Sequence, residues 1–184
     1  MPVKTLITCD EFEALSQKYE FPTELVDGEI IELSPAGFPQ AFLTMRIGRL
    51  LGNFVDVQKT GWVLGNEAGL HVNRRKQRTR GADVLYISYQ RLPREKYHQG
   101  FLKVPPELVV EVFGEKETWD ELAEKIKDYH EFGIDMVWVV DPDSQTVKLH
   151  PRGGQEKILS KDDTLDGGVV LPGFRVPLTE LFAF

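Results

Sequence analysis

The sequence predicts an α/β domain built on a mixed β-sheet flanked by helices, with an N-terminal helix and a β-hairpin ahead of it. Three observations predict this. The run Leu108–Phe113 is apolar except for Glu111, and Met136–Val140 is apolar throughout, as expected of strands covered on both faces. The stretch between them carries helical spacing. Upstream, two strand-like runs flank Asp27-Gly28, a strong hairpin signal. With 184 residues and no linker or internal repeat, the expected organisation is a single domain over 1–184.

Taken in order, Thr8 and Glu11 form a capping box, with Phe12, Leu15 and Tyr19 at helical spacing, which predicts a helix over about 9–19. TELV and EIIEL make the hairpin. Leu43, Ile47, Leu50, Leu51 and Phe54 mark one face of a long amphipathic helix. Trp62–Leu64 and Leu70–Asn73 read as two strands separated by Asn66-Glu67-Ala68-Gly69, and Ala82–Ile87 as another. Residues 88–104, with Pro93 and Gly100, look like an irregular connection. Thr118 and Glu121 form a second capping box, after which Trp119, Leu122, Ile126 and Tyr129 share a helix face that Gly133 stops. Thr146–His150 pairs back on Asp135–Asp141 across Pro142-Asp143-Ser144. The tail, rich in turn glycines, closes with a short helix or strand.

Composition excludes several classes. At 41% hydrophobic and 28% charged, the chain has enough apolar material for a core and is not disordered. No apolar run approaches the roughly 20 residues needed to cross a bilayer. MPVKTLITCDEFEAL lacks a long apolar stretch and a small-residue cleavage site, so the expected compartment is the cytoplasm. Cys9 is the single cysteine, which leaves no intrachain disulfide or Cys-rich zinc site and suits a small apolar filler. A net charge of −7 argues against a protein that coats nucleic acid, but Arg74, Arg75, Lys76, Arg78 and Arg80 concentrate five positive charges in seven residues. Either this run is a solvated hairpin loop or it is a phosphate-binding strip.

Standard catalytic templates are missing. There is no Gly-rich phosphate loop, nucleophile elbow or zincin helix, and His71, His98, His130 and His150 are too scattered for a metal motif. What remains is a pair of acids in apolar strands, Asp83 and Glu111. Burying a carboxylate is costly unless it is paired, hydrogen-bonded or bound to a cation. Two on neighbouring strands would supply the hard oxygen ligands that Mg²⁺ prefers. The plain alternative is that each acid meets water at a strand end or caps a neighbouring element.

At these residues the sequence resembles the bacterial family of putative restriction endonucleases within the PD-(D/E)xK nuclease superfamily. The matching pieces are ELVDGEIIELSP at 24–35, RGADVLYIS at 80–88, PPELVVEVF at 105–113, EKIKDYHEFGIDMVWVVDP at 124–142 and the closing DGGVVLPGFRVPLTELF. They run in family order over about residues 20–184. The resemblance implies a restriction-endonuclease-like core and Mg²⁺-dependent cleavage of DNA, with Mn²⁺ as a substitute ion. Asp83 matches the first acid and Glu111 the second, with the Val112 carbonyl as a further metal ligand. The usual lysine two residues after the second acid would fall at Phe113, and the family's substitute on the following helix matches Lys125. At about 100° per residue, Lys125 lies roughly 80° from the centre of the apolar stripe, at the edge of the packed face. Its alternative is an ordinary surface lysine. Glu24 and Gln40 match auxiliary positions, Glu24 as a third ligand or water-positioner.

The chain departs from the family pattern at three places. Ala82 stands where a Pro usually precedes the first acid, Gln40 where many relatives carry His, and FGEKET replaces a Ser-Pro turn. The leading expectation is therefore a metal-dependent endonuclease whose basic run 74–80 contacts the DNA backbone. The alternatives are a non-catalytic DNA-binding or protein-interaction module on the same fold and a small-molecule hydrolase. Related folds often pair as homodimers so that two sites face two strands.

Overall fold

The first helix starts as its capping box requires: Glu11 Oε2 accepts from Thr8 N at 2.8 Å and Thr8 Oγ1 accepts from Glu11 N at 3.2 Å. The computed structural model describes residues 6–184 apart from Gln17 and His98. This helix, α1 (Cys9–Ser16), ends earlier than the spacing through Tyr19 suggests and buries Cys9 and Phe12. β1 (Thr23–Val26) and β2 (Glu29–Glu32) form the hairpin, with Asp27 at φ 51° and Gly28 at φ 82°, the two positive angles that a tight hairpin turn demands. α2 (Phe38–Gln58) buries Leu43, Ile47, Leu51 and Val55. At about 1.5–3 kcal/mol each, those four outweigh the roughly 1 kcal/mol apiece that Gly48 and Gly52 cost a helix.

β3 (Gly61–Asn73) and β4 (Arg78–Ser88) make one long antiparallel ladder. The two strands expected at 62–64 and 70–73 are thus a single strand. The polar segment between them is a bulge, where the register shifts between Gly65 and Ala68 and both Asn66 (φ 62°) and Glu67 (φ 55°) adopt left-handed backbone. Such a conformation costs a non-glycine residue about 1–2 kcal/mol. The ladder also takes up part of the basic run, since Arg78 and Arg80 lie within β4 and only residues 74–77 form its turn.

The rest follows as β5 (Leu108–Val112), α3 (Trp119–Phe132), β6 (Met136–Asp141), β7 (Thr146–Pro151), β8 (Lys157–Leu159), β9 (Thr164–Asp166), β10 (Arg175–Pro177) and α4 (Leu178–Leu181). The main sheet has the order β2-β1-β4-β5-β6-β7-β8, with β3 on the other side of β4. β5 and β6 are parallel, joined through α3, and the other pairs in the sheet are antiparallel, so the sheet is mixed as expected. One face packs on α2 through Val84, Val110, Val112 and Trp138. The other packs on α3 through Leu85, Val109, Val137 and Val139. Among the described residues, no helix is long and apolar enough to cross a membrane.

One interruption positions everything that follows. β4 pairs with β3 along one edge, but its other edge meets β1 only at Thr79 and β5 only from Val84 onward. Between those contacts the backbone of residues 80–83 has no strand partner on that side. Its polar groups must find side chains instead.

Candidate active site

Side chains fill the interruption. Glu24 Oε1 accepts from Gly81 N at 3.0 Å, and the Tyr129 hydroxyl reaches Gly81 O at 3.0 Å. On the β5 side, Asp83 Oδ2 accepts from Val112 N at 2.7 Å. Asp83 and Glu111 are therefore on adjacent strands, and extending the Val84–Val110 register by one step sets them opposite each other. Both line one cleft of about 330 Å³, together with Glu24, Gln40, Glu67, Arg80 and Lys125. They are buried without being strand-end residues in water.

Lys125 reaches this cleft from α3. Its Nζ lies 2.8 Å from Glu111 Oε2 and 3.3 Å from Glu24 Oε1. The helix is rotated relative to its apolar stripe: Leu122, Lys125, Asp128 and Tyr129 are buried, whereas Trp119 is 43% exposed and Ile126 half-buried. Ion pairs explain the rotation. Asp128 meets Arg78 and Arg80, and Lys125 meets the two glutamates, so polar groups on the buried face are satisfied by the sheet. Tyr129, one turn beyond Lys125, donates to Glu111 Oε1 at 2.6 Å. Phe113, two residues after Glu111, stacks on Trp119 with ring centroids 4.1 Å apart and does not line the cleft.

The electrostatics follow from crowding. Burial opposes the charge on Glu24, but Lys125, Arg80 and the Gly81 N–H outweigh it and hold this carboxyl below its usual range. Burial pushes Asp83 and Glu111 up, Glu111 strongly, with Lys125 pulling the other way. Burial alone would lower Lys125, yet Glu111 and Glu24 reverse that and keep it a firm cation. Glu67, which sequence reading passed over as turn punctuation, stands beside Asp83 and is raised to about 7 by burial and by the Asp83 charge. The signal was present as an acid in a polar break inside an otherwise strand-like stretch. Only the ladder shows that the break is a bulge within one strand, whose register sets Glu67 opposite Asp83.

The basic run is dispersed. Arg80 is buried, bonded to Glu24 Oε2 at 2.8 Å and to Asp128 Oδ2 at 2.8 Å. Arg78 grips Asp27 through two bonds of 2.7 Å and Asp128 through one of 2.8 Å. Arg74 pairs with Asp10, and Lys76 lies 3.6 Å from Glu131. Arg75 is exposed with no ion-pair partner among the described residues. Of the five, only Arg80 lines the cleft.

Of the histidines, His130 and His150 make local hydrogen bonds, and His98 lies outside the described residues. His71 joins Asp10 and Glu13 in a group whose ligand atoms lie within 4.8 Å of one another, on the α1 side of β3. Its members already have partners. His71 Nδ1 bonds Thr79 Oγ1 and its Nε2 bonds Glu13 at 2.9 Å, while Arg74 and Lys103 neutralise the two acids.

Whether the cleft suits a divalent cation can be judged from its donors. They are hard carboxylate oxygens, and Glu67 Oε2 is shielded from solvent with no hydrogen-bond partner. Eight carboxylates line the cleft, with Glu24, Glu67, Asp83 and Glu111 among them, against three cations, Arg80, Lys116 and Lys125, and Arg80 is shared with Asp128. The oxygen donors and the excess of negative charge are of the kind a hard dication takes. The carboxylates would have to draw together around it, since among the described residues the ligand atoms gathered within 4.8 Å are those of Asp10, Glu13 and His71.

No curated protein matches the chain. Among solved structures, the crystal structure of a putative nuclease of the DUF820 family from Anabaena variabilis is similar, with a TM-score of 0.81 at 19% identity over 96% of this chain and 98% of that one. At that identity the likeness establishes the fold. The profile of the Uma2 family, described as putative restriction endonucleases, matches residues 9–179, and the chain belongs to that family.

Proposed function

We propose that the protein is a divalent-metal-dependent nuclease that hydrolyses phosphodiester bonds in DNA. The observation that carries this reading is Lys125 Nζ at 2.8 Å from Glu111 Oε2, inside an open cleft that also holds Asp83. The cation missing from the strand at Phe113 is thus supplied from α3 to the same acid. Asp83, Glu111 and the Val112 carbonyl would hold Mg²⁺ or Mn²⁺, which when bound supplies Lewis acidity at the phosphate and a more acidic attacking water.

The chain's own groups have separate tasks. Asp83 is oriented by the Val112 N–H, and Glu111 by Lys125 and Tyr129, so neither carboxylate has to reorganise before it acts. Lys125 is a cation throughout the neutral range and stands ready to stabilise charge that builds on the transferring phosphoryl oxygens. Glu24 fixes Lys125 and Arg80 and closes the open edge of β4, which makes it a positioning residue. Gln40 also lines the cleft, with its amide close to Gly114.

The non-catalytic DNA-binding reading draws less support. Such a module relies on cations free to displace counterions from phosphate. Here Arg74, Lys76, Arg78 and Arg80 all have carboxylate neighbours, and the cleft is acidic. The deciding experiment is a cleavage assay on duplex, single-stranded and junction DNA with Mg²⁺ and Mn²⁺, wild type against Asp83→Asn. Metal-dependent cleavage that disappears in the variant is expected. No cleavage of any form by the wild type would overturn the proposal.

A further inference from the structure

Glu67 is an acid for which the proposed site has no task. It enters the cleft from β3, on the side away from β5, at the point where two successive left-handed residues mark a shift in the β3–β4 register. The strand opposite leaves room for it. Gly81 has no side chain, and a Cβ built at that position would fall 2.5 Å from Glu67 Oε2. The carboxyl group adjoins that of Asp83.

Its neighbours in the cleft are matched to donors. Glu24 is taken by Arg80, Lys125 and Gly81 N, and Glu111 by Lys125 and Tyr129. Asp83 Oδ2 takes the Val112 N–H. Glu67 Oε2 is shielded from solvent with no N–H donor, and the Glu67 carboxyl meets the Asp83 carboxyl instead. The two carboxylates without a direct cationic partner are therefore Glu67 and Asp83, and they are side by side.

We propose that Glu67 is a direct ligand of the divalent cation, so that the ion sits between the bulge of β3 and Asp83 on β4, with Glu111 reaching it from β5. The inference rests on the metal-dependent reading above, but it concerns the seat of the ion and is testable without DNA. Glu111 keeps its place in the site. Because Lys125 and Tyr129 already occupy both of its oxygens, it contributes remaining lone pairs, whereas the unoccupied oxygen belongs to Glu67. Extending the Ala68–Ala82 register by one step sets Glu67 opposite Asp83, as the shared site requires.

The test is calorimetric titration of the metal-free protein with Mn²⁺, accompanied by melting curves with and without the ion. The wild type is expected to bind one Mn²⁺ with a rise in melting temperature. Glu67→Gln, which relieves the contact with Asp83, is expected to melt higher than wild type without metal, to bind Mn²⁺ at least tenfold more weakly and to lose most of the metal-induced rise. Glu32→Gln, at the mouth of the same cleft, controls for general loss of negative charge and should stay within about twofold of wild type. Glu67→Cys should bind Cd²⁺ more tightly than the wild type does, because thiolate is a soft ligand. Mn²⁺ affinity within twofold of wild type in Glu67→Gln, or no Mn²⁺ binding by the wild type, would overturn the assignment. Intact, Glu67-dependent Mn²⁺ binding by a protein that cleaves no DNA would instead retire the nuclease reading and leave the ion site standing.

Discussion

Lys125 and Glu111 are 14 residues apart in sequence and 2.8 Å apart in space, one on a helix and the other on the strand before it. The cation beside this strand acid comes from a helix that packs over it. Phe113, released from the cleft, stacks on Trp119 instead.

From that relationship, Lys125→Ala should retain Mn²⁺ binding but lose cleavage by about 10²–10³-fold, the scale for one transition-state donor. Lys125 also neutralises two buried glutamates, so the metal-free variant should melt lower, and Mn²⁺ should recover more of its melting temperature than in wild type. Near-wild-type cleavage would remove Lys125 from the reaction.

Asp83→Asn keeps an oxygen that can accept from Val112 N, so the β4–β5 junction should survive. Far-UV circular dichroism and urea unfolding are expected to match the wild type within about 1 kcal/mol, the worth of one hydrogen bond. Mn²⁺ affinity and cleavage should both be lost. A variant that unfolds would mean that the carboxylate charge itself holds the junction.

Much of this arrangement was legible in the sequence. Asp83 and Glu111 stood out because acids inside apolar strands must have partners, and family position singled out Lys125. The helix stripe put Lys125 at the edge of the buried face, whereas the structure buries it. Apolar periodicity cannot register a side chain that is buried through charge. The same blindness made residues 74–80 look like a loop with free cations, since Glu24, Asp27 and Asp128, which take up Arg78 and Arg80, are 48–56 positions away. Glu67 was missed for another reason: a bulge looks like a turn until its strand partner is known.

The arginines should separate by burial. Arg80→Ala leaves Glu24 and Asp128 short of a buried partner and should cost about 3–5 kcal/mol in urea unfolding. Arg75→Ala, exposed at the turn, should stay within about 0.5 kcal/mol. If Arg75 touches phosphate, its removal should lower the salt dependence of DNA binding by about 0.9 in slope. An unchanged slope would make that turn a solvated loop.

The Asp27–Arg78 pair predicts an acid limb of stability. Two hydrogen bonds from Arg78 hold the Asp27 carboxyl below its ordinary 3.8. A carboxyl lowered in the folded state contributes stability above its unfolded value and loses it as pH falls through the folded one. Asp27→Asn should therefore be less stable than wild type at pH 5–7, with the gap narrowing below about pH 4. Urea unfolding across pH 3–7 measures it, and a gap that does not change with pH would remove Asp27 from the titration.

Placing the cation on α3 also turns a chemical distance into a mechanical one. Along a strand, the spacing between acid and lysine is fixed by the backbone. Here it depends on how α3 docks, and a slip of one residue would move Nζ by about 1.5 Å along the helix axis and swing it about 100° around it. Tyr129 guards against both errors, because its hydroxyl meets Glu111 Oε1 and Gly81 O while Lys125, one turn earlier, holds the other oxygen of the same carboxylate. Glu111 thus works as a two-pronged gauge, and only a helix in true register can satisfy both prongs.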